Sequence, residues 1–193
     1  MVHKEDLRVQ KTKQALNEAF LDLLSEKTFD GITVNELCTR AGVRRATFYK
    51  HYTDKYNFLT ALIKVLRERF DMTFWKGQEY STTVEYYVAY AKRLVGFISE
   101  NSAAVDNIMS SSVSHTIIGL ILEQNYNDTK ERLQNSVKTG MSLAASVDVV
   151  ASMCAGGVAA TIYNWIVGGR KKNVFALAEE VSSIVRKTIE SSQ

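Results

Sequence analysis

The sequence predicts an all-α protein. Apolar residues recur at helical spacing in successive segments along most of the 193-residue chain, and no segment shows the apolar–polar alternation of a half-buried strand. The sequence contains no proline, so no proline ring forces a break in these segments. The length allows a substantial core, in one large domain or in two small ones.

The first predicted helix runs from Leu7 to about Glu26 and carries a stripe of apolar residues along one face. Residues 28–31, Thr-Phe-Asp-Gly, form the predicted turn out of it. The apolar stripe is expected to pack over the next two helices and to complete a three-helix unit with them.

Those two helices are short and lie at about residues 34–41 and 44–52. Thr33 and Glu36 have the spacing of a capping box at the start of the first, and Gly42 supplies the positive φ that a helix C-terminus usually needs. Two short helices joined by a glycine-containing turn are typical of a helix-turn-helix, whose second helix lies in the DNA major groove.

The second short helix combines an apolar face with basic and hydroxyl side chains that can point outward. Arg and Lys can contact guanine edges and phosphates, and Thr and Tyr hydroxyls can reach phosphate oxygens. Residues 40–55 hold five basic residues against one acidic residue, a net charge of +4, whereas the whole chain carries +3. On periodicity and charge alone, a DNA-binding helix and a solvated basic face are equally compatible with this pattern.

The stretch AGVRRATFYKHYTDKYNFL, residues 41–59, resembles the N-terminal signature of the TetR family of transcriptional regulators. The signature consists of a small-residue–Gly–Val turn, a Thr-Phe-Tyr core, a His-aromatic pair and an Asp-Lys pair that opens the next helix. The match is dense over about residues 7–62. These features are carried here by Ala41–Val43, Thr47–Tyr49, His51 with Tyr52, and Asp54 with Lys55.

The sequence departs from the family pattern at Arg44. Many members have a Ser or Thr there, which caps the second short helix. An arginine loses that cap, at a cost of about 1 kcal/mol, but adds a cation that can reach DNA.

The resemblance implies two domains: a helix-turn-helix DNA-binding domain over residues 1–53, and a helical effector-binding and dimerisation domain over 54–193. Residues 54–76 are the implied linker helix. In the family, the lysine that opens this helix contacts the DNA backbone, which implies the same for Lys55. The candidates for base-edge contacts are Arg44, Arg45 and Thr47, and those for phosphate contacts are Thr33, Tyr49, Lys50, His51 and Lys55.

Further helices are predicted at residues 84–99, 103–109, 115–138, 146–167 and 173–190. The helix at 146–167 is apolar over most of its circumference and rich in Ala and Gly, which predicts burial in a central core or in a subunit interface. The resemblance favours the interface, because the last two long helices of the family pair with those of a second subunit. It therefore implies a homodimer through residues 146–190 and a near-palindromic operator.

Aromatic residues are concentrated in the middle of the chain. A cavity lined by aromatic rings with a few polar groups suits a small-molecule ligand, and the resemblance implies an effector that binds between these helices and shifts the linker helix. An aromatic stripe at helical spacing is equally the ordinary composition of a core. The candidate ligand-binding residues are Phe70, Phe74, Tyr86, Tyr90, His115 and Trp165.

The sequence argues against an enzyme. No two of the three histidines have metal-ligand spacing, no glycine loop cradles phosphate, and no nucleophile elbow is present. Neither a metal nor a cofactor is expected, and Cys38 and Cys154 are interpreted as small buried hydrophobes. The N-terminus is too polar for a signal peptide and no run of about 18 apolar residues exists, so a cytoplasmic location is expected.

The leading interpretation is a ligand-responsive transcriptional regulator, with repression as the usual mode in the resembled family. It would bind a near-palindromic DNA operator as a homodimer and be released by a small-molecule effector. Two alternatives stay open: an activator on the same scaffold, and a helical protein-interaction module without an effector.

Overall fold

The structure, a computed structural model, describes residues 7–75 and 82–189. Within these ranges the secondary structure is helical, without a strand, as the sequence predicts, and every predicted helix is present with ends within two residues of the expected ones. A short 3-10 helix, Phe29–Gly31, lies between the first two α-helices. The α-helices are α1 Leu7–Glu26, α2 Val34–Arg40, α3 Arg45–His51, α4 Lys55–Trp75, α5 Thr83–Glu100, α6 Ser102–Met109, α7 Ser114–Lys138, α8 Val147–Val167 and α9 Val174–Ile189.

The chain divides into two compact units, and each is built from two separate stretches of sequence. The first unit combines the chain up to Thr73 with Ala103–Ser114, and the second combines Phe74–Ser102 with the chain from His115 onward. The predicted DNA-binding segment, 1–53, therefore lies inside a larger unit that also contains most of α4 and nearly all of α6.

A cluster of four phenylalanines forms the centre of the first unit. Phe20, Phe29, Phe48 and Phe58 are all fully buried, and they come from α1, the 3-10 helix, α3 and α4 respectively. The ring centroids of Phe20 and Phe58 are 5.1 Å apart and those of Phe48 and Phe58 are 5.9 Å apart. Since burial of one such side chain contributes about 1.5–3 kcal/mol, this cluster fixes the orientation of all four elements.

Within the first unit, α6 is hydrogen-bonded to α1, and the segment after α6 is hydrogen-bonded to the 3-10 helix. The Asn107 Nδ2–H donates to the carbonyl oxygen of Leu24 at 2.7 Å. The backbone N–H and the hydroxyl of Ser112 donate to the two carboxylate oxygens of Asp30, at 2.8 and 2.5 Å. The Ser112 hydroxyl is the main cause that holds the pKa of Asp30 below its ordinary value, and the Ser112 N–H adds to it.

In the second unit, α5 lies along α9, and α8 also packs on α9. The Tyr87 hydroxyl, on α5, donates to the carbonyl oxygen of Thr129 on α7 at 3.3 Å. One side of α8 is buried, through residues such as Ala151, Cys154 and Ile162. Other apolar side chains of α8, those of Val149, Met153 and Val167, are exposed, so the burial predicted for this helix is only partly achieved within the single chain.

By length and composition alone, α8 is apolar enough to cross a membrane, a test that core helices of soluble proteins also pass. Residues 149–167 contain no charged side chain, so the expectation that no apolar run of about 18 residues exists is wrong for this helix.

Both cysteines are buried and unpaired, as the sequence predicts. Burial raises the pKa of the Cys38 thiol, and it raises the pKa of Cys154 to about 11. Thiols with raised pKa values hold little thiolate near neutral pH, so neither is a reactive nucleophile.

Ser112→Ala tests the connection between Ser112 and Asp30. Because the pKa of Asp30 is lower in the folded chain than its ordinary value, the contact stabilises the fold above that value and is lost as the pH falls through the folded-state pKa. We expect the variant to unfold at lower urea concentration than the unchanged protein at about pH 7, and the difference should shrink at an acidic pH below the ordinary pKa of an aspartate.

The matched control is Ser110→Ala, which alters an exposed serine two positions earlier. It should leave the urea midpoint unchanged. A loss of stability by Ser112→Ala that is the same at both pH values would exclude a contribution from the charge of Asp30.

Candidate nucleic-acid interface

The surface of α3 is set by its one fully buried residue, Phe48, which belongs to the phenylalanine cluster. With Phe48 turned inward, the side chains of Arg44, Arg45 and Lys50 are exposed, and Tyr49 keeps 49% of its surface accessible. Thr47 and His51 are half-buried. The helix therefore presents exposed basic side chains and a tyrosine outside its buried face.

The turn between α2 and α3 is closed by two backbone hydrogen bonds. The Val43 N–H donates to the carbonyl oxygen of Cys38 at 2.9 Å, and the Gly42 N–H donates to that of Thr39 at 3.2 Å. This pattern is a Schellman motif, and it requires the left-handed backbone that Gly42 adopts with a φ of +65°. The predicted role of Gly42 is confirmed.

Thr33 caps α2 as predicted, because its hydroxyl oxygen accepts a hydrogen bond from the Glu36 N–H at 3.2 Å. The second half of a capping box is replaced by an ion pair. The Glu36 carboxylate lies 2.6 Å from the Lys27 ammonium, and this contact is the main cause that lowers the pKa of Glu36. The exposed Thr33 side chain thus caps α2, the helix that precedes α3.

Two of the five basic residues in 40–55 are used inside the unit. The Arg40 guanidinium makes a bidentate contact with Glu26, with N–O distances of 2.8 and 3.0 Å, and so joins α2 to α1. Lys55 is bound to backbone oxygens. The cations on the exposed face are therefore Arg44, Arg45 and Lys50, fewer than the local net charge of the sequence indicates.

Arg45 and Tyr49 lie one turn apart on α3 and approach each other on its outer face. The central carbon of the Arg45 guanidinium is 6.0 Å from the centre of the Tyr49 ring, at the outer limit of a cation–π contact. The Tyr49 ring also meets the edge of Phe48, with centroids 5.4 Å apart. These contacts orient the two side chains together.

The Asp54 side chain caps the N-terminus of α4. Its Oδ1 accepts hydrogen bonds from the N–H groups of Tyr56 and Asn57, at 2.9 and 2.8 Å. Free N–H groups at the start of a helix, together with a lysine, can bind a phosphate. In the structure these two N–H groups are occupied by the carboxylate of the chain itself.

The Lys55 ammonium is half-buried and donates to three carbonyl oxygens: those of Phe29 at 3.1 Å, Asp30 at 3.2 Å and Ile32 at 3.0 Å. These acceptors equal in number the three N–H bonds of an ammonium. The contact of Lys55 with the DNA backbone stays a prediction, and sequence reasoning missed these carbonyl contacts because the acceptors are backbone atoms more than twenty positions away.

Two of the candidate ligand residues lie next to each other in the second unit. Tyr86 is buried and stacks on Tyr90, with ring centroids 5.9 Å apart. The guanidinium of Arg132, on α7, lies 4.1 Å from the centre of the Tyr86 ring. The Tyr90 hydroxyl lies 3.5 Å from Oδ1 of Asn125, which is on the same helix as Arg132.

Two other ligand candidates, His115 and Trp165, are not among the contacts of this group. His115 is exposed at the start of α7. The Trp165 indole N–H donates to the carbonyl oxygen of Lys172 at 2.9 Å, so Trp165 closes the turn between α8 and α9. The side chains of Phe70 and Phe74 lie outside the described residues.

Sequence reasoning also missed Arg132 and Asn125, because the pairing of α5 with α7 is not visible in the sequence. Their spacing of seven positions, which puts both on one helix face, was the available signal. No group of three His, Cys, Asp or Glu side chains in the described ranges is arranged to hold a metal ion.

Comparison with known proteins points to one family for the N-terminal segment. Residues 16–62 match the family model of bacterial regulatory proteins, tetR family. The uncharacterized HTH-type transcriptional regulator YxbF of Bacillus subtilis is 45% identical to this chain over 60 residues, which are 31% of this chain and 16% of that protein. The chain thus spans a small part of that relative.

Two solved structures are similar along nearly the whole chain. The dihydroxyacetone kinase operon activator DhaS is 17% identical, with a TM-score of 0.67 over 93% of this chain and 98% of that one. FadR from Bacillus subtilis, in complex with stearoyl-CoA, is 18% identical, with a TM-score of 0.67 over 92% and 99%. At these identities the similarity shows the fold alone.

Arg44→Ser tests the departure at the start of α3. Arg44 is the N-cap residue, and its side chain makes no capping hydrogen bond. A serine hydroxyl can accept from the first N–H groups of the helix, so we expect the free energy of unfolding to rise by about 0.5–1 kcal/mol, while the loss of an exposed cation lowers DNA affinity. Urea unfolding and fluorescence anisotropy on a labelled duplex measure the two effects.

Thr33→Ala is the matched control, because it removes the cap that α2 has, and it should lower the free energy of unfolding by about 1 kcal/mol. If Arg44→Ser did not raise the free energy of unfolding, the start of α3 would not gain from a capping side chain.

Proposed function

We propose that this chain, whose residues 16–62 match the family model of bacterial regulatory proteins, tetR family, is a ligand-responsive transcriptional regulator of that family. In this proposal it binds a near-palindromic operator as a homodimer, acts as a repressor, and leaves the DNA when a small-molecule effector binds. It is not an enzyme, and it works in the cytoplasm, where its DNA lies.

The exposed face of α3 is the observation that carries the proposal. Arg44, Arg45, Tyr49 and Lys50 are exposed, whereas Phe48 of the same helix is fully buried. A helix of seven residues is about 10 Å long and fits into the major groove. Base edges are read by Arg44, Arg45 and Thr47, and phosphates are met by Thr33, Tyr49, Lys50 and His51.

Dimerisation is supported by apolar side chains that α8 and α9 leave open. Met153 and Val167 on α8 keep 62% and 57% of their surface accessible, and Phe175 and Ile184 on α9 keep 78% and 62%. Soluble monomers rarely expose so many large apolar groups together.

The two helices also form a groove of about 280 Å³, lined by residues such as Met153, Gly157 and Ile184. A second copy of α8 and α9 is the occupant in this proposal. A two-fold dimer then places two α3 helices about 34 Å apart, one turn of DNA.

The second unit supplies the effector site in this proposal. The stacked rings of Tyr86 and Tyr90, with Arg132 and Asn125 beside them, combine apolar surface with a few polar groups, as small-molecule sites do. The similar structure of FadR was solved with stearoyl-CoA, so a protein of this fold holds a small molecule.

Activation of transcription is the second candidate function. The similar structure DhaS is an operon activator, and an activator would use the same recognition helix. A reporter gene placed downstream of the bound DNA distinguishes repression from activation. Deletion of the gene for this chain should raise reporter expression if the chain is a repressor and lower it if the chain is an activator. A helical protein-interaction module, the remaining alternative, predicts no DNA binding.

The DNA proposal is tested by fluorescence anisotropy on labelled DNA from just upstream of the chain's own gene, compared with scrambled DNA, at two salt concentrations. We expect tighter binding to the upstream DNA. Arg45→Ala should reduce this preference by about 1–3 kcal/mol, because a base contact is lost. Lys50→Ala should weaken both duplexes alike and lower the salt slope by about one, because a phosphate contact is lost.

If Arg45→Ala lowered the affinity for both duplexes equally, Arg45 would not contact base edges. If the unchanged protein bound neither duplex, nor other DNA from its genome, the interaction-module alternative would replace the regulator.

Met153→Glu tests the dimer. A carboxylate buried in an apolar interface without a partner is strongly unfavourable, so we expect a monomer in sedimentation-velocity ultracentrifugation at a concentration where the unchanged protein is a dimer. Operator affinity should fall with it.

Val137→Glu is the matched control, because Val137 is another exposed apolar residue of the second unit and lies on α7. We expect this variant to remain a dimer. If the Met153→Glu variant remained a dimer, the interface would not be formed by α8 and α9.

A further inference from the structure

We propose that the hydroxyl of Tyr56, the second residue of α4, donates a hydrogen bond to a phosphate of the DNA backbone beside the start of α2. None of the candidate DNA contacts predicted from the sequence includes this residue. The inference rests on the proposed DNA binding. It adds a contact outside the recognition helix and leaves the predicted contact of Lys55 in place.

The environment of the Tyr56 side chain is the first argument. Tyr56 keeps 51% of its surface accessible, although its ring meets the fully buried Phe29 edge to face, with centroids 5.2 Å apart. Within the ranges that the structure describes, the Tyr56 hydroxyl has no hydrogen-bond partner, whereas those of Tyr87 and Tyr126 donate to a carbonyl and to a carboxylate oxygen. The ring is therefore held from one side, and the hydroxyl is open to an external acceptor.

The second argument is that Tyr49 of α3, a candidate phosphate contact, has the same arrangement. Tyr49 keeps 49% of its surface accessible, and its ring meets the edge of the fully buried Phe48, with centroids 5.4 Å apart. In both pairs a phenylalanine of the central cluster supports a tyrosine ring whose other side is exposed. A phenol hydroxyl is a donor, and the phosphate oxygens of DNA are acceptors that tyrosines commonly contact.

The position of Tyr56 in the first unit is the third argument. The Lys55 ammonium lies 5.7 Å from the centre of the Tyr56 ring, and it donates to the carbonyl oxygen of Ile32 at 3.0 Å. Ile32 directly precedes Thr33, whose exposed side chain caps α2. Tyr56 therefore lies beside Lys55 and the start of α2, where the sequence predicts two phosphate contacts, those of Thr33 and Lys55.

A phosphate contact by a phenol has its own signature in DNA binding. The phenol is a neutral donor, so its loss changes the number of released counterions little and leaves the slope of log affinity against log salt unchanged. A phosphate carries no base information, so two duplexes of different sequence lose affinity alike. A lysine contact would change the slope, and a base contact would change the sequence preference.

The experiment uses Tyr56→Phe, which removes only the hydroxyl and keeps the ring on Phe29. Tyr126→Phe is the matched control, because it removes a tyrosine hydroxyl from α7 in the second unit. Lys50→Met, an exposed lysine on α3, is the reference for a charged contact. Each variant is melted by circular dichroism, and its binding to labelled upstream and scrambled duplexes is measured by anisotropy at four salt concentrations.

We expect Tyr56→Phe to keep the melting temperature and the salt slope of the unchanged protein and to bind both duplexes about three- to tenfold more weakly. Tyr126→Phe should keep full DNA affinity. Lys50→Met should lose about one unit of slope.

Ethylation of single phosphates in the upstream duplex gives an independent measurement. Ethylation at the contacted phosphate should weaken binding of the unchanged protein, and it should weaken Tyr56→Phe much less, because the variant has already lost that contact.

Four results would overturn the inference. Full affinity of Tyr56→Phe would show that the residue only packs on Phe29. A larger loss on the upstream duplex than on the scrambled one would indicate a base contact, and a reduced salt slope would indicate an effect through Lys55. An equal loss in Tyr126→Phe would show that removal of a distant hydroxyl has the same effect.

Failure of the proposed function is detected separately. If the unchanged protein bound neither duplex, nor other DNA from its genome, the regulator and the Tyr56 contact would both be excluded. A failure of the Tyr56 inference alone leaves the DNA binding of the unchanged protein intact.

Discussion

Phe48 is the contact on which the candidate DNA surface depends. Its ring lies fully buried against Phe58, which itself meets Phe20, so α3 is locked to both α1 and α4 through aromatic rings. Burial of Phe48 fixes the rotation of α3 about its own axis, and this rotation determines which side chains are exposed. The basic residues of α3 are exposed because of where Phe48 is buried, and not because of any contact of their own.

Some charged side chains of the first unit form ion pairs within it, and others are exposed without such a role in its packing. Arg40 binds Glu26 and Lys27 binds Glu36, and both pairs join α2 to the end of α1 or the turn after it. Exposed pairs of this kind each add little stability, but these two connect α2 to the segment before it. The remaining exposed cations of the helix-turn-helix are few and adjacent, which suits recognition of one DNA segment better than general adhesion to polyanions.

The helices and their local ends could be predicted from the sequence because their signals lie within a few residues. Thr33 sits directly before the helix that it caps, and Gly42 is the residue whose backbone the turn requires. Glu36 shows where this reasoning stops. Its spacing from Thr33 indicated a capping box, yet its carboxylate pairs with Lys27, a partner that becomes available only when α1 and α2 have packed together.

Contacts between distant segments could not be predicted for the same reason. The Ser112–Asp30 contact joins residues 82 positions apart, and nothing in the composition of either segment indicates it. The approach of Arg132 to Tyr86 depends equally on how α7 lies against α5. For the candidate site, sequence reasoning identified the exposed residues of α3 but could not distinguish a cation on the surface from one bound to the backbone.

The burial of Cys38 and Cys154 has a practical consequence. With 2% and 6% of their surfaces accessible and with raised pKa values, both thiols should react slowly with maleimides or spin labels. A single cysteine introduced at the exposed Ala46 of α3 would then carry nearly all of the label without removal of the native thiols. In a two-fold dimer it would give one probe on each recognition helix, so a single distance distribution would report their separation with and without an effector.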